Sequence, residues 1–93
     1  MHVLAANALS LPADLTEIGE SAFEGVPATS VTIPPKVTVI HSRAFAACPY
    51  LAEVAIPASV TYIAPDAFAG SPRVILLCEE GSYADAWARD HLE

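Results

Sequence analysis

The sequence predicts a repeat solenoid that is mainly β-structure with short helical turns: about three units of 22–23 residues, followed by a C-terminal capping helix. Proline recurs at steps of 22 and 23 residues, at Pro12, Pro34 and Pro57. Isoleucine recurs at the same steps, at Ile18, Ile40 and Ile63. All three phenylalanines of the chain share one repeat position: Phe23, Phe45 and Phe68. Because several residue types keep one register, the repeat is the main feature of the chain.

Each unit is predicted to contain two short strands and a helical turn. The segment Val54–Pro57 alternates apolar and small residues, as a strand does, and the proline ends it by removing a backbone donor. The β-branched segment 37–40 suits a second strand. The Ala-Phe pairs then occupy the helical turns, of which Gly25 and Gly70 close two. Stacked units are therefore predicted to form one column of phenylalanines and one of isoleucines.

The last unit is predicted to be a strand followed by a cap. Segment 74–77 is strand-like, and the alignment matches Val74 and Leu77 to Leu51 and Val54. Ser82 is the predicted N-cap of a helix over 83–92. Its apolar stripe consists of Tyr83, Ala84, Trp87, Ala88 and Leu92, with the tryptophan sealing the core end. The chain is thus one domain over 1–93, with repeats at about 9–30, 31–53 and 54–75 and the cap at 76–93.

Composition excludes several classes of partner. The net charge is −7, which argues against nucleic acids and anionic membranes, since both require a basic patch. Mean hydropathy is +0.45, but the apolar residues are dispersed, and the longest interior apolar run, 74–78, is far too short to cross a membrane. The first residues lack a basic region and a full apolar region, so no signal peptide is predicted; an internal domain that begins with an added Met is the preferred interpretation.

No catalytic, cofactor-binding or metal-binding site is predicted. In the repeat register Cys78 corresponds to Ala55, on a different side of the coil from Cys48, so a disulfide is not expected. Cys48 is interpreted as a small packed residue. The histidines are interpreted as surface residues, since none has ligand spacing to a cysteine: His2, His41 and His91.

The pattern Ile-Pro-x-x-Val-Thr-x-Ile-x-x-x-Ala-Phe-x-x-Cys-x-x-Leu over 33–51 resembles the BspA-type leucine-rich repeat of bacterial surface proteins. The tail over 81–88 resembles the segment that often caps such arrays. The resemblance implies a leucine-rich-repeat solenoid in an extracellular or cell-surface protein that acts in adhesion or protein binding. Cys48 occupies the family's frequent cysteine position, whereas Val26 and Ser71 replace it in the other units.

The function expected is therefore noncatalytic recognition of a protein partner. In the first strands, two outward rows are predicted: Ala8, Ser30, Glu53 and Leu76 in one, and Ser10, Thr32, Ala55 and Cys78 in the other. Binding hot spots favour Tyr and Arg, so the candidate binding residues are Tyr50, Tyr62, Arg43 and Arg73, together with Glu53 and Thr32 from the rows.

Two further expectations concern assembly. A structural role is the alternative function: a capping or spacer domain at the C-terminal end of a longer repeat array. The N-terminal coil has no cap comparable to the C-terminal helix, so the chain is expected to be a monomer or a weak dimer through its N-terminal edge.

Overall fold

Strands from successive coils stack in parallel and form two sheets. The computed structural model describes residues 8–72 and 74–92. The first sheet contains, in spatial order, β1 (Ala8–Leu9), β3 (Ser30–Thr32), β5 (Glu53–Ala55) and β7 (Ile75–Leu77). The second contains β2 (Glu17–Ile18), β4 (Val39–Ile40) and β6 (Tyr62–Ile63). The helix α1 (Tyr83–His91) follows β7. The predicted solenoid of about three turns with a C-terminal helix is confirmed.

The recurring prolines end the strands of the first sheet. After each proline the chain makes a tight turn, closed by a backbone N–H three residues later. Leu15 donates to the Pro12 carbonyl at 3.1 Å, and the same bond is 3.2 Å from Val37 to Pro34. Proline has no N–H to contribute to the sheet ladder, so the ladder stops there and the chain changes direction.

The predicted short helical turns are chains of hydrogen-bonded turns rather than helix. In the second coil the N–H groups of Ala44 and Ala46 bond three residues back within their own coil, at 3.3 and 3.1 Å. The alternate N–H groups bond to the next coil instead: Phe45 donates to the Ala67 carbonyl at 2.8 Å and Ala47 to the Ala69 carbonyl at 2.7 Å. A helix requires every N–H to bond locally. Hydrogen bonds between stacked coils use every second N–H group, so a helix cannot form at this position.

The core contains the two predicted columns. The rings of Phe23, Phe45 and Phe68 stack at centroid distances of 5.5 Å, with interplanar angles of 15° and 9°. The isoleucines of the second sheet stand in register with one another and are buried: Ile18, Ile40 and Ile63. One repeat position, at the end of each Ala-Phe turn, has a left-handed backbone. It is held by Gly25 and Gly70, both at φ 77°, and by Ala47 at φ 54°.

The helix α1 closes the C-terminal end. Ser82 is its N-cap, as predicted, and the Ser82 hydroxyl accepts the Asp85 N–H at 3.2 Å. The Gly81 N–H donates to the Asp85 carboxylate at 2.8 Å, and this bond holds the pKa of Asp85 below its usual range. The Trp87 ring meets the Phe68 ring edge-on at 5.7 Å. The tryptophan therefore ends the phenylalanine column.

The cap lies against the last strand of each sheet. The Tyr83 hydroxyl accepts the Ile63 N–H at 3.3 Å, so α1 covers the exposed edge of β6. Of the predicted apolar stripe, Ala84 and Trp87 are buried, whereas Tyr83 and Leu92 stay partly exposed. Leu92 is the C-cap, and the helix ends at His91, one residue earlier than predicted.

Candidate functional site

The outward side of the first sheet is a surface of small and polar side chains. The inward residues Val31 and Val54 are buried in the core. The residues that alternate with them in β3 and β5 point outward: Ser30, Thr32, Glu53 and Ala55. Pairing sets Glu53 beside Ser30 and Thr32 beside Ala55, so Thr32 and Glu53 lie diagonally on neighbouring strands. We call the outward residues of β3 and β5 the first-sheet face.

The predicted register of β7 is wrong by one residue. Val54 pairs with Leu76, not with Leu77. The outward residues of β7 are therefore Ile75 and Leu77 instead of the predicted Leu76 and Cys78. Because Ala55 pairs with Leu77, Cys78 also does not correspond to Ala55. All four residues of segment 74–77 are apolar, so no alternation distinguished the inward positions from the outward ones.

The correction changes the chemistry of the surface. Ile75 and Leu77 are 60% and 49% exposed, so each outward row ends in a large apolar side chain beside β5. Sequence reasoning missed both residues as surface candidates. The repeat contains steps of both 22 and 23 residues, and only the observed pairing of Val54 with Leu76 selects a step of 22 in the last unit.

Five of the six candidate binding residues lie in the described part of the chain, and the structure brings only two of these five together. Thr32 and Glu53 share the first-sheet face. Tyr50 is 65% exposed in the segment before β5, and Tyr62 is outward on the second sheet. Arg43 lies on the Ala-Phe turn of the second coil, and Arg73 lies outside the described residues. The five described candidates are thus distributed over several surfaces and do not form one site.

Charged side chains on the turns bridge adjacent coils. Arg43 donates to the Glu24 carboxylate at 2.7 Å. This hydrogen bond lowers the pKa of Glu24 and raises the pKa of Arg43. His41 Nε2 and Glu17 Oε1, which belong to neighbouring coils, also lie 2.7 Å apart. Because Arg43 already has a carboxylate partner in its own chain, it is a weaker anchor for an external ligand than its residue type suggested.

The cysteine position of the repeat serves to join coils. The buried Cys48 thiol donates to the Phe23 carbonyl at 3.4 Å. Ser71 occupies the same position one coil later, and its buried hydroxyl donates to the Phe45 carbonyl at 2.7 Å. That hydroxyl also accepts the Cys48 N–H at 3.0 Å. Both cysteines are free, and burial raises the pKa of the Cys78 thiol.

Replacing Ser71 with alanine is expected to lower the free energy of unfolding by about 1–3 kcal/mol, because the buried Cys48 N–H then has no acceptor. Urea denaturation followed by circular dichroism measures the difference. Ser10→Ala is the matched control: Ser10 is exposed, so its change should stay within about 0.5 kcal/mol. Equal stabilities for the Ser71 variant and the parent chain would show that this hydroxyl does not join the coils.

The part of the chain that the structure describes contains neither a cluster of metal ligands nor a helix that could span a membrane. Over residues 8–72 and 74–92, no three His, Cys, Asp or Glu side chains come together as a metal site would require. Among the same residues, no helix has the length and apolar character needed to cross a membrane.

Parallel strands stacked every 22–23 residues, with columns of phenylalanine and isoleucine, define a β-solenoid built from repeats. A family model described as "BspA type Leucine rich repeat region (6 copies)" matches residues 3–76. The chain therefore belongs to the BspA-type leucine-rich-repeat family, whose repeats are generally non-enzymatic modules of protein–protein interaction. Neither a curated protein nor a solved structure matches the chain.

Proposed function

We propose that this chain is a noncatalytic module that recognises a partner protein through the first-sheet face. The supporting observation is that the inward and outward positions of the first sheet differ in how much they vary from coil to coil. Inward positions keep the same character from coil to coil, as Val31 and Val54 do, and are buried. The outward position of the same strands changes from Ser30 to Glu53 to Ile75. Because packing does not restrict the outward residues, they can differ between coils in a way that suits the surface of a partner protein.

The setting that we propose is the bacterial cell surface or the extracellular medium, with a role in adhesion. Membership of the BspA-type family supports it, and the net charge of −7 suits a soluble surface that does not attract anionic membranes or nucleic acids. The partner proposed is a protein rather than a small molecule, because the first-sheet face is open and three of its four side chains are small.

The test begins with capture of proteins from extracellular and cell-surface extracts on the immobilised chain. Each captured protein is then purified and titrated against four chains: the parent, Thr32→Arg/Glu53→Arg, Tyr62→Ala and Lys36→Ala. The double variant should weaken binding at least about tenfold. Lys36→Ala, an exposed change on a turn, should leave binding unchanged.

Two results would contradict the proposal. If Tyr62→Ala alone abolishes binding, recognition takes place on the second sheet. If no purified protein distinguishes the double variant from the parent chain, the first-sheet face is not a recognition surface.

A structural role is the second candidate function: a cap or spacer at the C-terminal end of a longer repeat array. The observation that favours it is the closure of one end of the solenoid by α1, through the Trp87 ring on Phe68 and the Tyr83 hydroxyl on β6. Under this function, attaching further repeats before Leu9 should raise the stability of the array, and none of the variants above should change the binding of any protein.

A further inference from the structure

The outward rows of the first sheet end in two large apolar side chains. Ile75 and Leu77 alternate along β7 and are 60% and 49% exposed. The helix α1 lies against β7 but leaves both of these side chains exposed. We call Ile75 and Leu77 the apolar pair. Single exposed apolar residues are ordinary on a protein surface, so the meaning of the pair depends on the residues beside it.

A carboxylate lies directly beside the apolar pair. Glu53 of β5 is exposed and pairs in register with Ile75, so both side chains are on the outward side of the sheet. Neighbouring strands are about 4.8 Å apart, so a group that covers Ile75 also reaches the Glu53 carboxylate. Over residues 8–72 and 74–92, no cation is within ion-pair distance of Glu53: Arg43 and Arg89 pair with other carboxylates.

A partner that covers the apolar pair therefore also removes water from Glu53. Covering the apolar pair stabilises the complex, because apolar area leaves water. A carboxylate that loses its water without gaining a cation destabilises the complex. Both conditions are met by a partner that places a positive charge on Glu53 and an apolar side chain on the apolar pair.

We propose that the first-sheet face and the apolar pair bind a linear segment of the partner protein in which a Lys or Arg residue is close in sequence to an apolar residue. The basic side chain pairs with Glu53, and the apolar side chain packs on Ile75 and Leu77. This inference rests on the proposed function, because it identifies the chemistry of the segment that the same face recognises.

The charge of the whole chain acts in the same direction. A net charge of −7 attracts a basic segment and repels an acidic one before contact is made. Salt screens this attraction over distances of about 8 Å at physiological ionic strength. The affinity for the segment should therefore fall as salt is added.

A displayed library of random linear peptides provides the probe. Three immobilised chains are compared at physiological salt: the parent, Glu53→Lys and Glu20→Lys. The parent and Glu20→Lys chains should both enrich peptides with a basic residue close to an apolar one, whereas Glu53→Lys should not. Glu20 is the matched control, because it is an exposed glutamate on the turn after β2 and its replacement changes the net charge by the same amount.

The peptide that the parent chain enriches most is then synthesised and titrated. Glu53→Lys should weaken its binding at least about tenfold, and Glu53→Gln about two- to fivefold. Ile75→Ser/Leu77→Ser should weaken it at least about tenfold, since the apolar contact is lost. Glu20→Lys should stay within about twofold of the parent. Circular dichroism melts verify that every variant is folded, and these exposed positions should have little effect on stability.

Three results overturn the proposal. The first is a library that yields no enriched peptide. The second is enrichment of the same peptides by the parent and Glu53→Lys chains. The third is a peptide that binds Glu53→Gln as tightly as the parent, which would show that Glu53 needs no cation from a partner.

Failure of the proposed function is a separate result. Suppose that a captured protein responds to Thr32→Arg/Glu53→Arg but to neither Glu53→Gln nor Ile75→Ser/Leu77→Ser. The first-sheet face is then a recognition surface, and only this inference is wrong. If no captured protein responds to the Thr32→Arg/Glu53→Arg variant, the proposed function is wrong, whichever peptides bind.

Discussion

Replacing Phe45 with alanine is expected to lower the free energy of unfolding by about 3–5 kcal/mol. Phe45 is 0% exposed, and its ring stacks between those of Phe23 and Phe68 at 5.5 Å on each side. Truncation removes the ring and leaves a cavity that both neighbouring coils line. At roughly 4–8 °C per kcal/mol for a chain of this size, the melting temperature should fall by at least about 12 °C. Calorimetry and urea denaturation measure both quantities.

Tyr50→Ala is the matched control for the loss of a ring. Tyr50 is exposed, so its truncation should change the free energy of unfolding by no more than about 0.5 kcal/mol. An unchanged melting temperature in the Phe45 variant would contradict the assignment of the phenylalanine column as the core.

Replacing Trp87 with aspartate is expected to have the second large effect, a loss of more than about 3 kcal/mol or the onset of oligomerisation. The Trp87 side chain is 5% exposed, lies against the Phe68 ring and is covered on its other side by the His91 ring at 4.3 Å. Aspartate would place an unpaired carboxylate in this apolar contact, or α1 would have to detach and expose the end of the column. Urea denaturation and light scattering distinguish the two results.

Two further variants isolate the cause. Ala86→Asp introduces the same carboxylate one residue earlier, on the exposed side of α1, and should have little effect. Trp87→Phe retains a ring against Phe68 and should keep most of the stability, because the buried indole N–H has no hydrogen-bond partner to lose. A stable, monomeric Trp87→Asp chain would show that α1 is not the cap of the solenoid.

Much of the fold could be predicted because the repeat positions are determined by burial. A phenylalanine or isoleucine that recurs every 22–23 residues reports a stacked column, and both columns are present. The N-cap at Ser82 was equally predictable, because a hydroxyl before an apolar stripe is a local signal. The cysteine position was predictable as packed, but its hydrogen bonds were not, because they depend on the carbonyl of the coil before.

The surface was much less predictable. Thr32 and Glu53 were placed on one face correctly, since alternation around Val31 and Val54 determines which residues point outward. Tyr50, Tyr62 and Arg43 were chosen by residue type alone. Residue type does not say that Tyr62 belongs to the other sheet or that Arg43 bonds to Glu24.

The sequence by itself determined the coil, its length, its core columns and the capping helix, because each depends on a pattern of burial that recurs along the chain. Only the tertiary structure decided the register of β7 and the form of the Ala-Phe turns. Segment 74–77 is apolar throughout, so only its pairing with β5 determines which of its residues face inward. In the turns, hydrogen bonds to the next coil take every second N–H that a helix would have used.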